Sequence, residues 1–588
     1  KGLFSYYYAN GLLNNHEYTY TTYTFNQADS TYIPAGGSSN PWRERTQQMK
    51  ITTDIQLQAD YTRSFGKHNI NVTFVNERNR AHTLYDWVHD VPSSNELSLI
   101  YFSTMDTYTD QDVTTSKIGY VGRFSYNYDN KYYLDIAGRR DASYIMSPGH
   151  KWGTFPSATA SWRLTRESFF QNWIDPKILS EFKIRASYGA TGDDRNLPID
   201  EFSYLDAYNY NSSSPAILDG NAVIVSSWRG IPVTNVTWIK ARMLDIGFDY
   251  GLFSNRLSGT FDYFKRKRTD LTGTKYDILL PNELGYTLPV ESIPSNSDKV
   301  QGVEGSVAYN GHFNKVNFSV AANFTYSRSY TVSTYKPTYF NSLDKYFSSS
   351  TDRPNNLFWG YIADGQFTSQ QQINDYPVNE DGQGNNTLLP GDIIYKDLNG
   401  DHVIDQNDKR PIGWGEGQNP IFSGGLNLSA NWKGFDFSMD FTYGSGYTFN
   451  RNWEMRWPFQ NGGALQQIFY DSHWHHQDIY DPNSPWIPGK YPAFRYNYSG
   501  GNDYYPNSTF WLVNVKYFRC RNLEVGYTLP QALLEKVKFT KARFYVNFSN
   551  LFSIDNVHDY GIDPEISDDN GLTYPQSKYV NVGVNLSF

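Results

Sequence analysis

Apolar and polar side chains alternate one by one along many segments of this chain. In 580–588, valine, leucine and phenylalanine alternate with asparagine, glycine and serine. Comparable alternation runs through 51–61, 316–326, 435–443 and 543–549. Alternation with period two indicates β-strands that water wets on one face only. At roughly ten residues each, these strands are long for a soluble protein and have the length of a tilted membrane strand.

The connections between these strands alternate in length. Short turns are predicted at Phe65-Gly66-Lys67, Asp129-Asn130, 252–255, 312–315 and Trp432-Lys433-Gly434. Long polar stretches lie between them, at 79–116, 191–239, 328–420 and 447–515. Outer-membrane barrels have short periplasmic turns and long extracellular loops. The sequence therefore predicts an all-β protein, a transmembrane antiparallel β-barrel with long extracellular loops.

The strand count predicts that this barrel is incomplete. We count about 17 strands, from residues 1–9 to 578–588, whereas a closed antiparallel barrel needs an even number. The first residues, Lys1-Gly2-Leu3-Phe4, carry no signal-peptide pattern and have the character of mid-protein sequence. We therefore expect further chain before Lys1.

Composition agrees with a barrel and excludes some classes of function. Aromatic residues make up 17% of the 588 residues and charged residues only 19%. No stretch approaches the roughly 20 apolar residues of a membrane helix. The net charge of -9 argues against a nucleic-acid partner, which needs a basic face. The single cysteine, Cys520, allows no internal disulfide, and we expect it to be a small packing residue.

A series of short motifs resembles one known family. They occur in the family's order from residue 140 to the end, and any one of them alone is weak. The motifs are Arg140-Asp141-Ala142-Ser143, Trp152-Gly153-Thr154-Phe155-Pro156-Ser157, Ser161-Trp162, Glu167-Ser168-Phe169-Phe170, 182–192, Asp262-Tyr263-Phe264, Thr269-Asp270-Leu271, Gly302-Val303-Glu304, 363–367, Gly391-Asp392, Asp397-Leu398-Asn399-Gly400-Asp401, 526–530, Asn550-Leu551-Phe552 and Asp563-Pro564-Glu565. Together they resemble the SusC/RagA family of TonB-dependent outer-membrane transporters of Bacteroidota.

The resemblance implies an architecture and a function. The family's barrels have about 22 strands around an N-terminal plug, so residues 1–588 would hold about the last 17 strands and no plug. The family imports oligosaccharides or oligopeptides across the outer membrane, energised by TonB, with a SusD-like surface lipoprotein over the extracellular loops. Polar side chains such as Asp436, Asp440, Asn317 and Asn323 would line the path or touch the plug. Two positions depart from the family: Ile239 replaces a usual Glu after Trp238, and His402 replaces a Gly.

Two other functions remain open at this stage. The barrel could act as a scaffold or assembly partner in an outer-membrane complex, without active transport. Alternatively, the chain could be a soluble, multidomain β-protein that binds or hydrolyses carbohydrate, but the alternating connection lengths argue against this. No pair of carboxylates has a reason in the sequence to face another, so we expect no enzyme activity.

The sharpest local motif predicts a calcium site. In the twelve residues from Asp397 to Asp408, oxygen-bearing side chains occupy positions 1, 3, 5, 9 and 12. The backbone carbonyl of position 7 completes the set, and Ile404 at position 8 would be an apolar anchor. The expected ligands are Asp397, Asn399, Asp401, Val403, Asp405 and Asp408. The bound Ca²⁺ would be structural, pinning the long loop 328–420. The alternative is a solvated surface loop rich in Asp and Asn.

Other candidate residues are ambiguous. His473, His475 and His476 could bind a transition metal or simply belong to a polar loop. Five tryptophans of the long loops could stack on a substrate or pack one loop on another: Trp359, Trp453, Trp457, Trp474 and Trp486. Phe588 ends an alternating strand, as expected of a signal for barrel insertion.

Overall fold

A computed structural model describes the chain except residues 98, 102, 196, 276–277, 279–280, 282, 284, 352, 415–419, 461–464, 496–505, 535–538, 567–569 and 575. Parts of the two predicted loops 328–420 and 447–515 thus lie outside the described residues. The chain divides into two compact units. The first comprises 1–161, 187–242 and 268–296, and the second comprises 162–186, 243–267 and 297–588.

Strands dominate both units. The first fourteen are β1 Gly2–Glu17, β2 Tyr20–Asn26, β3 Thr31–Ser38, β4 Trp42–Phe65, β5 His68–Asp90, β6 Met105–Tyr128, β7 Tyr132–Ser143, β8 Trp152–Arg163, β9 Leu179–Asp193, β10 Tyr208–Leu218, β11 Asn221–Trp228, β12 Ile239–Leu252, β13 Leu257–Thr269 and β14 Leu271–Gly273. The others are β15 Glu291–Ile293, β16 Ser297–Phe313, β17 Val316–Ser333, β18 Leu357–Gly360, β19 Ala363–Gln366, β20 Ile393–Tyr395, β21 Arg410–Trp414, β22 Phe422–Trp432, β23 Phe435–Asn450, β24 His475–His476, β25 Trp486–Ile487, β26 Leu512–Thr528, β27 Lys541–Asp555 and β28 Tyr579–Ser587.

Helices are few and short. The α-helices are α1 Ser168–Trp173, α2 Ser342–Ser348, α3 Gln370–Asn374, α4 Gln467–Tyr470 and α5 Gln531–Leu534. Single 3₁₀ turns occur at Leu164–Arg166, Gln406–Asp408, Trp453–Met455 and His558–Tyr560. In the part of the chain that the structure describes, no helix has the length and apolar character needed to cross a membrane.

Sixteen strands form one sheet in the order β1-β4-β5-β6-β7-β8-β9-β12-β13-β16-β17-β22-β23-β26-β27-β28. Each strand therefore pairs with its sequence neighbour in the sheet, as in an up-and-down antiparallel fold. This confirms the predicted fold class. The described residues hold sixteen sheet strands, however, where the sequence predicted about 17. An even number removes the parity argument on which the expectation of missing strands was based.

In the first unit, the longest strands correct one prediction. β4 and β5 pair without a register shift from Arg43↔Asp90 to Phe65↔His68, and β5 continues against β6. The predicted loop 79–116 is therefore wrong, because only 91–104 connects β5 and β6. Polar side chains on both faces hid these strand ends, since the backbone ladder itself needs no apolar residue.

In the second unit, the strands predicted from alternation are confirmed. β16, β17, β22 and β23 pair in sequence, with Gly302↔Ser327 and Phe324↔Gly424 among the partners. β26 bulges between Cys520 and Asn522 against β27. Cys520 is fully buried there, as expected of a packing residue.

Several connections follow the predicted alternation in length. The described turns at Gly66-Lys67, Lys433-Gly434 and 253–256 are tight, and several of their residues have positive φ angles. Those at the opposite strand ends are long, at 194–238, 334–421 and 451–511. These bounds agree with the predicted 191–239, 328–420 and 447–515 within a few residues.

The two faces of the strands differ in chemistry. On β28, Val582 is 79% exposed and Val580 is 65% exposed, and Ile55, Leu57 and Tyr61 are exposed along β4. Soluble proteins rarely expose such continuous apolar bands, which mark contact with a membrane or a partner. The alternate positions carry polar networks instead.

These networks pair arginines with carboxylates along the strands. In the second unit, the Arg185 guanidinium donates to Asp249 at 2.8 Å and to Asp262 at 2.6 Å. Arg543 donates to Asp436 at 3.0 Å and to Glu524 at 2.5 Å. Arg185 and Arg543 are thus each balanced by acids on the next two strands of the sheet, which lowers the cost of their partial burial.

A glycine in β16 provides a test of this strand packing. A Cβ at Gly302 would lie 2.2 Å from the Tyr326 carbonyl oxygen and 2.9 Å from the Ser327 Cα. Gly302→Ala must therefore move β17, and we expect a loss of roughly 1–3 kcal/mol in stability. The unfolding temperature in detergent, followed by the heat-dependent shift in electrophoretic mobility, measures it.

The matched control is Gly122→Ala in β6, where a Cβ meets no atom within 4 Å. Its unfolding temperature is expected to stay level or rise slightly, because alanine restricts the unfolded chain. Equal unfolding temperatures for the two variants would contradict the close packing of β16 on β17.

Candidate functional site

The two longest connections of the second unit fold into one assembly, which we call the loop platform, comprising the described residues of 357–414 and 451–511. Its buried core contains Ile393, Tyr395, Phe469, Tyr491 and Trp511. The backbone amides of Tyr361 and Thr509 donate to the carbonyls of Asn507 and Tyr361 at 2.8 Å and 3.0 Å. The connections are thus ordered by packing against each other.

Two buried arginines hold the platform. The Arg451 guanidinium lies 4.9 Å from the Trp511 ring centroid and donates to the Tyr491 hydroxyl at 3.0 Å. Arg456 donates to the Asn507 side chain at 3.0 Å and to the Pro506 carbonyl. Both arginines are almost completely buried. Since aromatic faces and carbonyl oxygens replace the lost water, these cations organise the platform from within.

The predicted calcium segment lies in this platform. The Asp397 carboxylate accepts from the amides of Gly400 at 2.6 Å and His402 at 2.9 Å. Asn399 accepts from the Asp401 amide, and Asp401 from the Val403 amide. These bonds wind the backbone into a tight loop, and Ca²⁺-binding loops have a similarly tight backbone.

The second half of the segment closes the loop. The Asp408 carboxylate is fully buried and accepts from the amides of Leu398 at 2.8 Å and Asp405 at 3.0 Å. His402 has φ +62°, the left-handed conformation for which glycine is usual at this position. Ile404 packs on the platform core, as predicted for an apolar anchor. Its amide bonds Asn379, so the loop is tied to the preceding segment.

The charge of the segment suits a cation, although the side chains are not yet gathered. Burial would raise the pKa of Asp397, but the amides of His402 and Gly400 outweigh it and hold the pKa below its usual value. Within the described residues, no three His, Cys, Asp or Glu side chains stand close enough together to hold a metal ion. A bound ion would therefore have to draw the carboxylates inward by side-chain rotation.

The histidine run makes separate contacts. His473 stacks on Phe494 at 4.0 Å, and His476 lies 4.0 Å from the Trp486 ring. The Nδ1 atoms of His473, His475 and His476 all bond backbone carbonyls. Burial lowers the pKa of His473. These contacts favour the structural interpretation of the run over a metal site.

Two of the loop tryptophans pack on other residues of the long connections. Trp474 is buried against Gly391, where a Cβ would lie 2.2 Å from the Trp474 Cγ. Trp359 lies 5.5 Å from the rings of both Tyr346 and Phe347. Trp453 is different, because it is 44% exposed and remains accessible to a ligand or partner. Packing within the loops therefore applies to Trp359 and Trp474, whereas stacking on a substrate stays open for Trp453.

Comparison with known proteins identifies relatives of this chain. No family model matches it. It is 27% identical over 497 residues to TonB-dependent receptor P3 of Formosa agariphila, covering 81% of this chain and 46% of that protein. It is 24% identical over 585 residues to TonB-dependent receptor SusC of Bacteroides thetaiotaomicron, covering 94% of this chain and 52% of that protein. The chain thus spans about half the length of the relatives it matches.

The fold agrees with these relatives. A structure of the RagAB peptide transporter matches with a TM-score of 0.73 at 20% identity, covering 100% of this chain and 59% of that chain. The chain is a homologue of SusC and other TonB-dependent receptors of Bacteroidota. It is therefore an outer-membrane β-barrel protein, which explains the exposed apolar faces of its strands.

Family motifs of this SusC homologue meet in space within the first unit. Phe155 of the 152–157 motif packs edge-on against Trp238 at 5.4 Å. Cβ atoms at Gly153 or Gly192 would lie within 2.3 Å of the Phe155 ring. Trp238 also donates from Nε1 to the Lys151 carbonyl at 2.9 Å. The departure at Ile239 thus leaves the contacts of the preceding tryptophan in place.

In the second unit, the motif Asp563-Pro564-Glu565 folds back on β26. Arg519 is nearly buried and lies 2.8 Å from Asp563 and 2.6 Å from Glu565. The Tyr447 hydroxyl donates to the Pro564 carbonyl, and Arg521 bonds Glu565. Removing one partner would leave a buried charge, so this motif fixes the connection between β27 and β28.

A glutamate of the platform makes its stability depend on pH. Glu380 accepts from the Tyr395 amide at 3.0 Å through one oxygen, and its other oxygen is buried without a partner. Burial raises the pKa of Glu380 from 4.5 to about 8. The folded carboxyl therefore keeps its proton between these values while the unfolded one loses it. The stability of this connection should fall as pH rises from 4.5 to about 8 and be level above.

Hydrogen exchange of the peptides around 376–395 in the full-length protein, corrected for the intrinsic effect of pH, measures this change. We expect at least tenfold faster opening at pH 8 than at pH 5, and Glu380→Gln should remove most of the difference. The control is Asp364→Asn, an exposed carboxylate of the same connection that pairs with Lys396. A pH dependence unchanged in Glu380→Gln would rule out this glutamate as its source.

Proposed function

We propose that the protein imports oligosaccharides or oligopeptides across the outer membrane, energised by TonB and acting with a SusD-like surface lipoprotein. The observation that carries this proposal is the loop platform. The two longest connections of the second unit lie at one end of the strands and pack into an ordered surface, whereas most connections at the other end are tight turns. Homology to SusC and the fold shared with the RagAB peptide transporter support the same direction.

In this proposal, the polar strand face lines the path of the substrate or meets the plug. Asp440 accepts from Asn427 at 2.6 Å and Asp436 pairs with Arg543, so both acids lie in polar networks. Asn317 and Asn323 are separated by an even number of positions along β17, so their side chains lie on the same face of the strand. Such neutral and paired groups can exchange hydrogen bonds with a passing hydrophilic molecule at little cost.

The SusD-like partner would rest on the exposed apolar side chains of the platform. Tyr480 is 89% exposed and Ile479 is 74% exposed at a turn of the second long connection, and Tyr470 is 67% exposed. Exposed aromatic anchors of this kind dominate protein interfaces. Trp453 provides a further contact for the partner or the substrate.

The experiment uses the full-length protein in the bacterium that encodes it, after deletion and complementation of the gene. Uptake of fluorescently labelled oligosaccharides and oligopeptides is measured with and without a protonophore, which removes the energy that TonB delivers. We expect energy-dependent uptake with the wild type. With Arg451→Ala, uptake should fall at least tenfold, because its aromatic partners in the platform lose their cation.

Lys315→Ala, at the tight turn between β16 and β17, is the control and should import normally. Heat-dependent mobility on gels verifies that each variant barrel is assembled, and Arg451→Lys keeps the charge if the alanine variant is not. Normal uptake with an assembled Arg451→Ala barrel would mean that the platform takes no part in import. Uptake that is absent even in the wild type would favour a scaffold.

We also propose that Asp397, Asn399, Asp401, Val403, Asp405 and Asp408 bind Ca²⁺. The backbone already follows the loop that this ion requires, and an oxygen that accepts one amide keeps a second lone pair for a cation. The ion would be structural, because it would keep the loop in the conformation in which Ile404 packs on the platform core and bonds Asn379. Carboxylates and a carbonyl are hard ligands, and they suit Ca²⁺ better than a transition metal.

Calorimetry of the full-length protein tests the site. We expect one Ca²⁺ to bind with a Kd of roughly 10⁻⁵–10⁻³ M. Asp397→Ala and Asp408→Ala should abolish this binding, whereas Asp364→Asn should not change it. Trypsin provides a second measurement, because Lys396 and Lys409 flank the loop. Cleavage there should become several-fold faster with a chelator, and equal cleavage with and without Ca²⁺ would refute a structural ion.

A further inference from the structure

A cavity of about 520 Å³ opens in the second unit, beside the polar ends of β13, β16 and β17. We call it the arginine cavity. Strands supply one side of it, and the long connection between β17 and β22, together with Gly446 of β23, supplies the other. Its lining consists of Arg266, Val300, Ser327, Arg328, Ser329, Asn355, Asn356, Trp414, Pro420, Ile421, Ser423 and Gly446.

The charges of this lining are unbalanced. Among the described residues that line it, Arg266 and Arg328 are the only ionisable side chains, and none is a carboxylate. Among the described residues, neither arginine forms a salt bridge, in contrast to Arg185 and Arg543 on the same unit. Two uncompensated cations facing one cavity repel each other, so the cavity favours an anion.

One of the two arginines is held in position. The Arg328 guanidinium lies 4.3 Å from the centroid of the Trp414 ring. Trp414 is itself fixed, because its amide donates to the Thr448 hydroxyl at 2.8 Å and its strand pairs with Leu357. Stacking occupies the face of the guanidinium and leaves its N–H edge for a planar or tetrahedral oxyanion.

The neutral groups of the cavity suit a polyhydroxylated ligand. The Asn355 side-chain oxygen accepts from the Thr331 hydroxyl at 2.8 Å. The backbone N–H of Asn355 donates to the Ser329 carbonyl at 2.8 Å. The side-chain NH₂ of Asn355 therefore remains to donate. Serine hydroxyls and the Asn356 side chain add further donors and acceptors. Such a lining resembles a sugar site more than the apolar pockets that hold peptide side chains.

A second cavity of about 370 Å³ continues the first. The two share Asn355 and Asn356, and Arg353 lines the second. The Arg353 guanidinium lies 4.8 Å from the Tyr346 ring and 5.5 Å from the Trp359 ring. Adjacent cavities of this size can hold adjacent units of an oligomer.

We infer that the arginine cavity binds an acidic oligosaccharide through the carboxylate of a uronic acid unit, with Arg266 and Arg328 as the groups that select its charge. This inference rests on the proposed import function and names the substrate class. The cavity should therefore bind acidic oligomers more tightly than neutral ones, because neutral oligomers lack a carboxylate to offset the charge of the two arginines.

The test uses tetragalacturonate, maltotetraose and tetraglutamate as probes, with the full-length protein in detergent and calorimetric detection. We expect tetragalacturonate to bind at least tenfold more tightly than maltotetraose, and its affinity to fall as salt is added. Arg266→Gln and Arg328→Gln should each raise its Kd at least tenfold. Arg328→Lys keeps the charge but loses the planar fork, so its Kd should lie between those of the wild type and Arg328→Gln.

Lys315→Gln is the matched control, since it removes one positive charge from the opposite end of the hairpin between β16 and β17. Its Kd for tetragalacturonate should equal that of the wild type. Equal binding of tetragalacturonate and maltotetraose, or binding unchanged in both arginine variants, would overturn the inference. Arginine-dependent binding of tetraglutamate in place of tetragalacturonate would overturn the assignment to a saccharide.

Uptake in cells separates this inference from the proposed function. Selective binding without energy-dependent uptake would support the inference about the cavity and contradict the proposed import function. If an assembled barrel takes up acidic and neutral oligomers equally, the result would support the proposed import function and contradict the selectivity inferred for the cavity.

Discussion

The backbone of a membrane protein must satisfy its own hydrogen bonds, because lipid offers none. Each unsatisfied amide or carbonyl in the hydrocarbon region costs several kcal/mol, so a strand can stand in lipid only when its neighbours pair with it. In this chain, the strands of the sixteen-stranded sheet between its edge strands β1 and β28 meet that requirement by pairing with both sequence neighbours. Once the ladder exists, alternate side chains must face opposite ways, and the apolar face and the polar networks follow from it.

The platform obeys a different rule. Its residues lie outside the ladder, and their order comes from aromatic rings packed around Arg451 and Arg456. A guanidinium is weakly hydrated and flat, so aromatic faces can replace its water at a moderate cost. The same property recurs at Arg328 on Trp414, where one edge of the cation is left for another group. Stacked arginine thus organises the connections and also provides the charge of the cavity.

The sequence predicted the parts of the structure that depend on local pattern. Alternation identified β17, β23 and β28, and glycine with its neighbours identified turns such as Lys433-Gly434. It failed at 79–116, where the strands continue with polar residues on both faces and periodicity carries no signal. The spacing of oxygen donors in 397–408 predicted a calcium loop, and calcium binding there stays a prediction.

Contacts between distant segments could not be predicted in the same way. Arg266, Arg328 and Trp414 are brought together by strand register and by the folding of one long connection, and nothing near each residue in the sequence signals the others. The burial of Arg451 is similar, because an isolated arginine in a polar stretch has the pattern of a solvated side chain. Glu380 was missed for the same reason, since its high pKa arises from how the platform closes over it.

β4, β5 and β6 are 24, 23 and 24 residues long. At about 3.3 Å per residue, such strands extend near 80 Å, whereas crossing the lipid takes only about ten residues. More than half of each strand therefore stands in water as a ribbon with hydrophilic side chains on both faces. Substitutions on such a ribbon cost little stability, because the backbone holds it and few side chains pack. A rim of this kind can therefore accept changes in its outward side chains while the barrel beneath it stays the same.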